Sequence, residues 1–333
     1  MKERIKWIDI VKFFGIFAIY LGHLGTMAGR SYYFVFCYHV PLFFFVSGCM
    51  ETFCKEDNFF KYLIKKIKSI LIPFWVFAAM SGLVAIIYEE CTWERVKGFI
   101  VEVLRGVVRN TYIAGGLWFL TCLFVMQILF FIIKKIRYKS VILLAVVLCY
   151  LASVHLIEPS PAAMPRMYYN VDSALYYMIY YAIGYVVFPY ILEVFDLDTK
   201  KKKAIFGISA VCSVGYTLAV FFGMDWFAFL RGASWSNEIV SILSPCIMIY
   251  AFFVIARWIE DIPVLADVGK NTLYLCGSEY MIRVIFVETM AIFGLSVTIP
   301  GPVGGYVYTA FLLFVANKYL VPVEKYIINK IVR

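Results

Sequence analysis

The stretch RIKWIDIVKFFGIFAIYLGH, residues 4–23, decides the fold class of this chain. Behind its first charged residues lies an apolar run of the length, roughly 20 residues, that a helix needs to cross a bilayer core of about 30 Å. Similar continuous runs follow along the whole chain, so helices are predicted rather than the alternating strands of a barrel. About ten spans are expected, at 8–27, 35–53, 70–88, 117–133, 141–157, 174–192, 204–222, 238–256, 271–287 and 302–320.

The composition excludes a water-soluble protein. Hydrophobic residues make up 63% of the 333 residues, against about 45–50% apolar residues in a typical soluble protein, and charged residues only 16%. A soluble enzyme, a disordered chain and a secreted disulfide scaffold are therefore excluded for the chain as a whole. The sequence predicts an all-α polytopic membrane protein, with one membrane-embedded domain over residues 1–333 and no separate soluble domain.

The positive charge follows the pattern of membrane topology. The net charge is +9, but 22 of the 31 Lys and Arg lie in alternate connecting segments and their flanks. This bias satisfies the positive-inside rule with both termini in the cytoplasm, so we expect a multi-pass protein of the cell (plasma) membrane that contacts the lipid bilayer and binds no nucleic acid. The cysteines show no C-x-x-C pair, and no metal site is expected.

Three ionisable residues lie within the first predicted span, where each costs about 2.5–3.5 kcal/mol on insertion scales. Asp9, Lys12 and His23 fall on one face of the helix, with Lys12 and His23 about 16 Å apart along its axis. This face must contact the interior of the bundle or a water-filled cavity. Two structural alternatives remain open: Asp9 and Lys12 are an i, i+3 pair at the interface, or His23 is a hydrogen-bonded core residue.

Ionisable groups in two further spans are also candidate site residues. His39, in CYHVPLFFFVSG (37–48), lies near the membrane level of His23, so the two histidines are expected to form a polar centre. Glu279 and Arg283 are four residues apart in the ninth span and can pair on one helix face. The alternatives are a packing histidine at a helix end for His39 and a neutralised structural pair for Glu279 and Arg283.

These residues lie in motifs that resemble acyltransferase family 3, integral-membrane enzymes that modify surface polysaccharides and other acceptors. R-x-x-W-I-D-I-x-K followed by G-H resembles the first helix of the family, and Lys12 to His23 matches its most specific mark, a basic residue and a histidine separated by ten residues. Four further segments resemble family motifs in the same order: YHVPLFFFVSG (38–48), KKIKSILIPF (65–74), GGLWFLTCLF (115–124) and VGKNTLYL (268–275). Two positions differ, Glu279 where the family often has histidine, and Ser69 in place of a second basic residue.

The resemblance implies transfer of an acyl group, expected to be acetyl, from cytoplasmic acyl-CoA to a hydroxyl group of a cell-surface or exported carbohydrate. Acetyl-CoA is the expected donor substrate, and no permanently bound cofactor is expected. The roles that follow are catalytic for His23 and Lys12, with His23 as general base, supporting for Asp9, His39, Glu279 and Arg283, and donor-binding for Lys66, Lys68 and Lys270. An ion-coupled transporter or a flippase of a polar or glycan substrate is the alternative, since buried charges suit transport as well.

Overall fold

The computed structural model describes residues 4–88, 92–109, 111, 113–225, 227 and 234–332. The protein is 80% helical, and the described residues contain no strand, which confirms the all-α prediction. The α-helices are α1 Lys6–Gly22, α2 Arg30–Phe36, α3 His39–Glu51, α4 Phe59–Lys66, α5 Ile72–Tyr88, α6 Trp93–Arg105, α7 Trp118–Ile133, α8 Lys139–Ala152, α9 Val171–Phe195, α10 Lys200–Phe221, α11 Ser234–Trp258, α12 Pro263–Lys270, α13 Thr272–Gly277, α14 Glu279–Ile292 and α15 Gly301–Val332.

Seven helical segments of the described chain are long and apolar enough to cross a membrane. They are Arg30–Glu51, Phe59–Tyr88, Lys139–Ile157, Tyr168–Phe195, Lys200–Phe221, Ser236–Trp258 and Gly301–Val332. The other three predicted spans coincide with shorter or interrupted helices: α1 has 17 residues, α7 has 16, and Ser278 separates α13 from α14. The protein is therefore a multi-pass helical membrane protein, and the count of ten spans stays a prediction.

Local chemistry explains several helix boundaries. The side chain of Asn58 accepts a hydrogen bond from the backbone N–H of Lys61 at 3.0 Å and so begins α4, as expected of an N-cap residue. At Tyr38 the backbone leaves the helical region, with φ −139° and ψ −23°, and this separates α2 from α3. Pro41 then lies in the first turn of α3, where its missing N–H leaves no helical hydrogen bond unmade.

Two segments have π-helical geometry. Ile67–Leu71 connects α4 to α5, and Ser153–Ile157 extends α8. A π turn contains one residue more than the α-helical turn it replaces, and such turns are frequent at functional sites. The first of them includes Lys68, one of the lysines expected to bind the donor.

The packing divides the chain into two compact units. The first contains residues 1–53, 183–272 and 299–313, and the second contains residues 54–182, 273–298 and 314–333. Each unit therefore draws on several separate parts of the sequence. The prediction of one domain over residues 1–333 stays a prediction.

In the first unit, α1 packs against α2, α3, α11 and α12. Its side chains Ile10, Val11 and Ile16 are fully buried. The approach of α12 is especially close, because a Cβ atom added to Gly269 would lie 1.7 Å from the backbone oxygen of Asp9. Helix α1 is thus held by several neighbours, which fix the position of the polar residues that it carries.

In the second unit, a buried polar cluster ties α7 to the beginning of α9. Asn170 is left-handed, with φ 54°, a conformation that asparagine tolerates better than most residues. Its side-chain amide donates to the backbone oxygens of Gly106 and Val107 at 2.8 and 3.2 Å and to the Thr121 hydroxyl at 2.9 Å. Together with the bond from the Thr121 hydroxyl to the Gly106 oxygen at 2.7 Å, they satisfy polar groups that are buried between the segments.

Candidate active site

Asp9 is the centre of a charged cluster near the beginning of α1. Its buried carboxylate accepts hydrogen bonds from Arg4 Nε at 2.6 Å and Arg4 Nη2 at 3.0 Å, and from Lys12 Nζ at 3.4 Å. The i, i+3 pair considered from the sequence is therefore present. Arg4 is an additional partner that the sequence did not single out, and its two-bond contact is the closer one.

Lys12 lines a cavity in the first unit. The volume is about 730 Å³, and the lining residues are Arg4, Ile5, Ile8, Asp9, Lys12, Met50, Phe53 and Leu192. The Lys12 side chain is 24% exposed, so its ammonium group is paired with Asp9 and still accessible from this cavity. Most of the remaining wall is apolar, which suits a ligand with a long neutral chain.

His23 lies at the other end of α1. The helix ends at Gly22, and the backbone N–H of His23 donates to the oxygen of Ile19 at 3.1 Å. The His23 side chain is exposed, whereas Ile16 and Tyr20, on the same helix face, are buried. The face between Lys12 and His23 is therefore packed against protein, and its two ends are the accessible parts.

His39 is the second histidine of the polar centre expected from the sequence. It interacts electrostatically with His23, and its ring meets the Phe36 ring edge-on at 5.0 Å. His39 Nδ1 is 2.7 Å from the backbone oxygen of Val35. Because a carbonyl oxygen only accepts, this contact assigns the hydrogen to Nδ1 and leaves Nε2 of the neutral ring as an acceptor.

Glu279 and Arg283 form the expected pair on α14, although a loose one, with 4.0 Å between Arg283 Nε and Glu279 Oε1. Glu279 is buried and Arg283 is partly buried. Glu279 is also the first residue of α14, because the helix is interrupted at Ser278. A carboxylate in the first turn is stabilised by the helix dipole, which gives Glu279 a structural role in addition to the pair.

Three lysines line a cavity of about 630 Å³ in the second unit, which we name the lysine cleft. Lys61, Lys65 and Lys68 form its basic side, and the other lining residues, none of them a carboxylate, are Ile64, Ser69, Pro73, Leu273, Tyr274, Ile328, Asn329 and Val332. Lys66 does not line the cleft, and its ammonium group lies 4.8 Å from the centre of the Tyr62 ring. The cleft therefore has three positive charges and no compensating negative one along its wall.

Lys270 lines a different cavity, in the first unit, which we name the mixed cleft. Its volume is about 830 Å³, and its charged lining residues are Arg4, Lys6, Arg257 and Lys270 together with Asp9, Asp196, Glu260 and Asp261. Arg257 is paired with Glu260. Opposite charges balance in this cavity, unlike in the lysine cleft. Of the three lysines expected to bind the donor, Lys68 and Lys270 thus line separate cavities, and Lys66 lines neither.

The described residues contain no group of three or more His, Cys, Asp or Glu side chains placed to hold a metal ion. The polar groups on α1 and α3 are those of proton transfer and charge pairing. At one end of α1 lie an exposed imidazole, His23, and a second imidazole whose Nε2 is an acceptor, and at the other end lies a carboxylate that binds two cations.

The sequence matches a known protein family. The family model, described as an acyltransferase domain, covers residues 5–317, which is nearly the whole chain. No significant match was found among curated proteins or solved structures. The matched region includes His23, Lys12 and every other residue singled out from the sequence. The prediction of a membrane acyltransferase is confirmed at this level, and the chain belongs to acyltransferase family 3.

Proposed function

We propose that this protein is an O-acetyltransferase of the plasma membrane, which moves an acetyl group from cytoplasmic acetyl-CoA to a hydroxyl group of a cell-surface or exported carbohydrate. The observation that carries the proposal is the position of His23. It is an exposed imidazole at the end of a helix that its neighbours hold firmly, and it interacts electrostatically with a second histidine. Membership in an acyltransferase family favours this function over the alternative of ion-coupled transport.

The reaction needs a base near the acceptor hydroxyl. His23 takes the hydroxyl proton while the hydroxyl oxygen attacks the thioester carbonyl carbon. The new C–O bond forms as the C–S bond breaks, and the departing thiolate takes the proton from the His23 imidazolium. The products are an ester and the free thiol of coenzyme A, with no change in oxidation state. Nε2 of His39 is available to accept a hydrogen bond from the acceptor or from His23.

Lys12 has a different role in this proposal. It lies about 16 Å from His23 along α1, which is too far for both side chains to contact the same reacting carbonyl group. Its accessible ammonium group instead lies in a largely apolar cavity, where it attracts an electron-rich group of a bound ligand. Asp9 and Arg4 hold the lysine side chain in this position through the charged cluster.

The phosphates of the donor bind in the lysine cleft. Coenzyme A carries a diphosphate and a further phosphate on its ribose, and ammonium groups bind phosphates as point charges. Lys61, Lys65 and Lys68 supply three such groups without a neighbouring carboxylate on the wall, whereas the charges of the mixed cleft balance. The headgroup of an anionic lipid shares this chemistry and is the competing occupant.

The proposed topology has ten spans and both termini in the cytoplasm. It rests on the distribution of Lys and Arg, which satisfies the positive-inside rule in one register only. In that topology the segment 54–69, which bears the three lysines of the cleft, faces the cytoplasmic pool of acetyl-CoA. The end of α1 that carries His23 faces the outer half of the membrane, where an exported acceptor arrives.

A transfer assay with a matched histidine control tests the catalytic role. Purified protein is incubated with labelled acetyl-CoA and candidate glycans, and ester formation is measured. His23→Ala should lower the rate by about 10²–10⁴-fold, as typical for loss of a general base, with unchanged thermal stability. His155→Ala, at another exposed histidine, should leave the rate unchanged. Near-normal transfer by His23→Ala would contradict the mechanism, and glycan movement without ester formation would favour transport.

A binding experiment tests the donor site. Replacing Lys61, Lys65 and Lys68 together by Gln should weaken acetyl-CoA binding at least 10-fold at low salt and less at high salt, because exposed charges are screened. Lys66→Gln, on the same segment but directed at Tyr62, should have a much smaller effect. If the triple variant keeps its affinity for acetyl-CoA but retains less anionic lipid on purification, the cleft is a lipid site.

A further inference from the structure

A buried carboxylate on α15 is explained neither by the fold nor by the catalytic groups described above. Glu324 is 0% exposed, and neither of its carboxylate oxygens has a hydrogen-bond partner among the described residues. The hydroxyl of Ser278 lies beside it but donates to the backbone oxygen of Tyr274 at 2.7 Å. A buried polar group without a partner is unfavourable by about 1–3 kcal/mol, so its retention calls for a ligand.

Glu324 lies on the side of α15 that forms the lysine cleft. Ile328 and Val332, one and two turns further along the same helix face, both line the cleft. Tyr274 lines it as well and interacts electrostatically with the Glu324 carboxylate. Counting along the axis, Glu324 is about 6 Å beyond Ile328 and about 12 Å beyond Val332. The Glu324 carboxylate therefore lies on the same helix face as the cleft, beyond the residues that line it.

The cleft thus has three cations along its wall, and an acceptor that lacks a donor lies just beyond its lining. Its volume of about 630 Å³ is typical of small-molecule sites, roughly 300–1,000 Å³. A ligand that satisfies both ends has anionic groups at the lysines and an N–H donor on a chain that reaches inward. A phosphate at the inner end would be repelled by the carboxylate, so the orientation of such a ligand is fixed.

We propose that Glu324 accepts a hydrogen bond from an amide N–H of the pantetheine arm of the acyl-CoA whose phosphates bind Lys61, Lys65 and Lys68. This inference rests on the donor site proposed above and adds the residue that recognises the arm. A phospholipid in the same cleft would place acyl chains, which have no N–H group, against Glu324. The carboxylate therefore discriminates an acyl-CoA from a membrane lipid, although both carry phosphate.

Two ligands separate recognition of the arm from recognition of the phosphates. Coenzyme A carries the arm, and adenosine 3′,5′-bisphosphate lacks it. Their affinities are measured by calorimetry on the full-length purified protein and on Glu324→Leu, which keeps a similar volume and removes both acceptors. We expect a loss of about 10-fold or more for coenzyme A, the effect of one hydrogen bond to a charged group, and less than a 2-fold change for the bisphosphate.

Control variants distinguish a failure of the proposal for Glu324 from a failure of the proposed donor site. Glu324→Gln keeps one acceptor oxygen and should restore most of the affinity for coenzyme A, while Lys68→Gln should weaken both ligands. Unchanged binding of coenzyme A by Glu324→Leu, or equal weakening of both ligands, overturns the proposal for Glu324. If the triple lysine variant binds both ligands normally, the proposed donor site itself fails. Should Glu324→Leu not fold, Glu324→Met is measured in the same way.

Discussion

Gly269→Ala tests whether the contact between α12 and α1 is as close as the structure has it. A Cβ atom on residue 269 would lie 1.7 Å from the backbone oxygen of Asp9 and 2.5 Å from its carbonyl carbon, whereas real Cβ atoms essentially never approach another atom within 3.0 Å. The two helices would have to separate by about 1.3 Å to make room. No flexible side chain can move aside instead, because the obstacle is backbone.

Overpacking of this kind typically lowers the free energy of unfolding by about 1–3 kcal/mol, and the rigid obstacle places Gly269→Ala near the upper value. For a chain of this size, whose unfolding entropy is about 0.7 kcal/mol/K, that corresponds to a melting temperature lower by roughly 4 °C. Thermal unfolding of the purified protein, followed by tryptophan fluorescence at one fixed scan rate, measures the change. The fixed rate matters because irreversible unfolding makes the apparent melting temperature depend on it.

Gly207→Ala is the matched control for this experiment. Gly207 lies within α10 in the same unit, and a Cβ atom there would meet nothing within 4 Å. Adding a methyl group at an open helical position stabilises a helix by roughly 0.5–1 kcal/mol, so the melting temperature should stay constant or rise slightly. A Gly269→Ala protein that melts at the same temperature as the wild type would refute the close approach of the two helices. An equal fall in melting temperature in both variants would show that the effect is not specific to this contact.

Three further predictions follow from other contacts. Asn170→Ala should lower the free energy of unfolding by about 2–4 kcal/mol, because it removes an amide that donates to three buried acceptors. A change below about 1 kcal/mol in a denaturation experiment would contradict this. Asp9→Asn should destabilise the protein by about 1.5–3 kcal/mol, and Arg4→Gln, whose side chain is 59% exposed, by less than about 1 kcal/mol; the reverse order in thermal melts would argue against the charged cluster. Cysteines placed at Lys66 and Arg105 should react with impermeant reagents from opposite sides of the membrane, and labelling from one side would exclude the ten-span topology.

The helices were predictable because the apolar runs are long, and their interruptions were not. The second predicted span, 35–53, contains the helix break at Tyr38. Tyr38 is aromatic and no glycine precedes it, so the sequence has no residue typical of a turn at this point. The ninth, 271–287, is interrupted at Ser278. Hydropathy measures how much apolar surface a segment has, and a break inside the bundle leaves that quantity almost unchanged. Only the packing of neighbouring segments reveals it.

Part of the candidate site could likewise be predicted from the spacing of residues, and the rest depends on how distant segments pack. The sequence predicted a basic donor site in this segment and named Lys66 and Lys68. The lysines that line the cleft are instead Lys61, Lys65 and Lys68, which are four and three residues apart and so share one helix face. Glu324 could not be predicted as a site residue from the sequence, because it lies between Pro322 and Lys325 in a stretch predicted to be a cytoplasmic tail. Helix α15 instead continues through Pro322 to Val332, and its contact with a segment about 50 residues earlier in the chain buries the carboxylate.

The π turn at Ile67–Leu71 sets how far α5 is rotated about the helix axis relative to α4. Since it holds one residue more than an α-helical turn, everything after it is rotated by about 100° relative to everything before it. Lys61 and Lys65 precede the turn, and the fully buried Phe74 and Phe77 follow it. Deleting a single residue here would leave composition and charge almost unchanged, yet it would aim the lysines away from the cleft whenever the two phenylalanines kept their places in the core. In this helix, the direction in which the lysines point depends on the number of residues as much as on their identity.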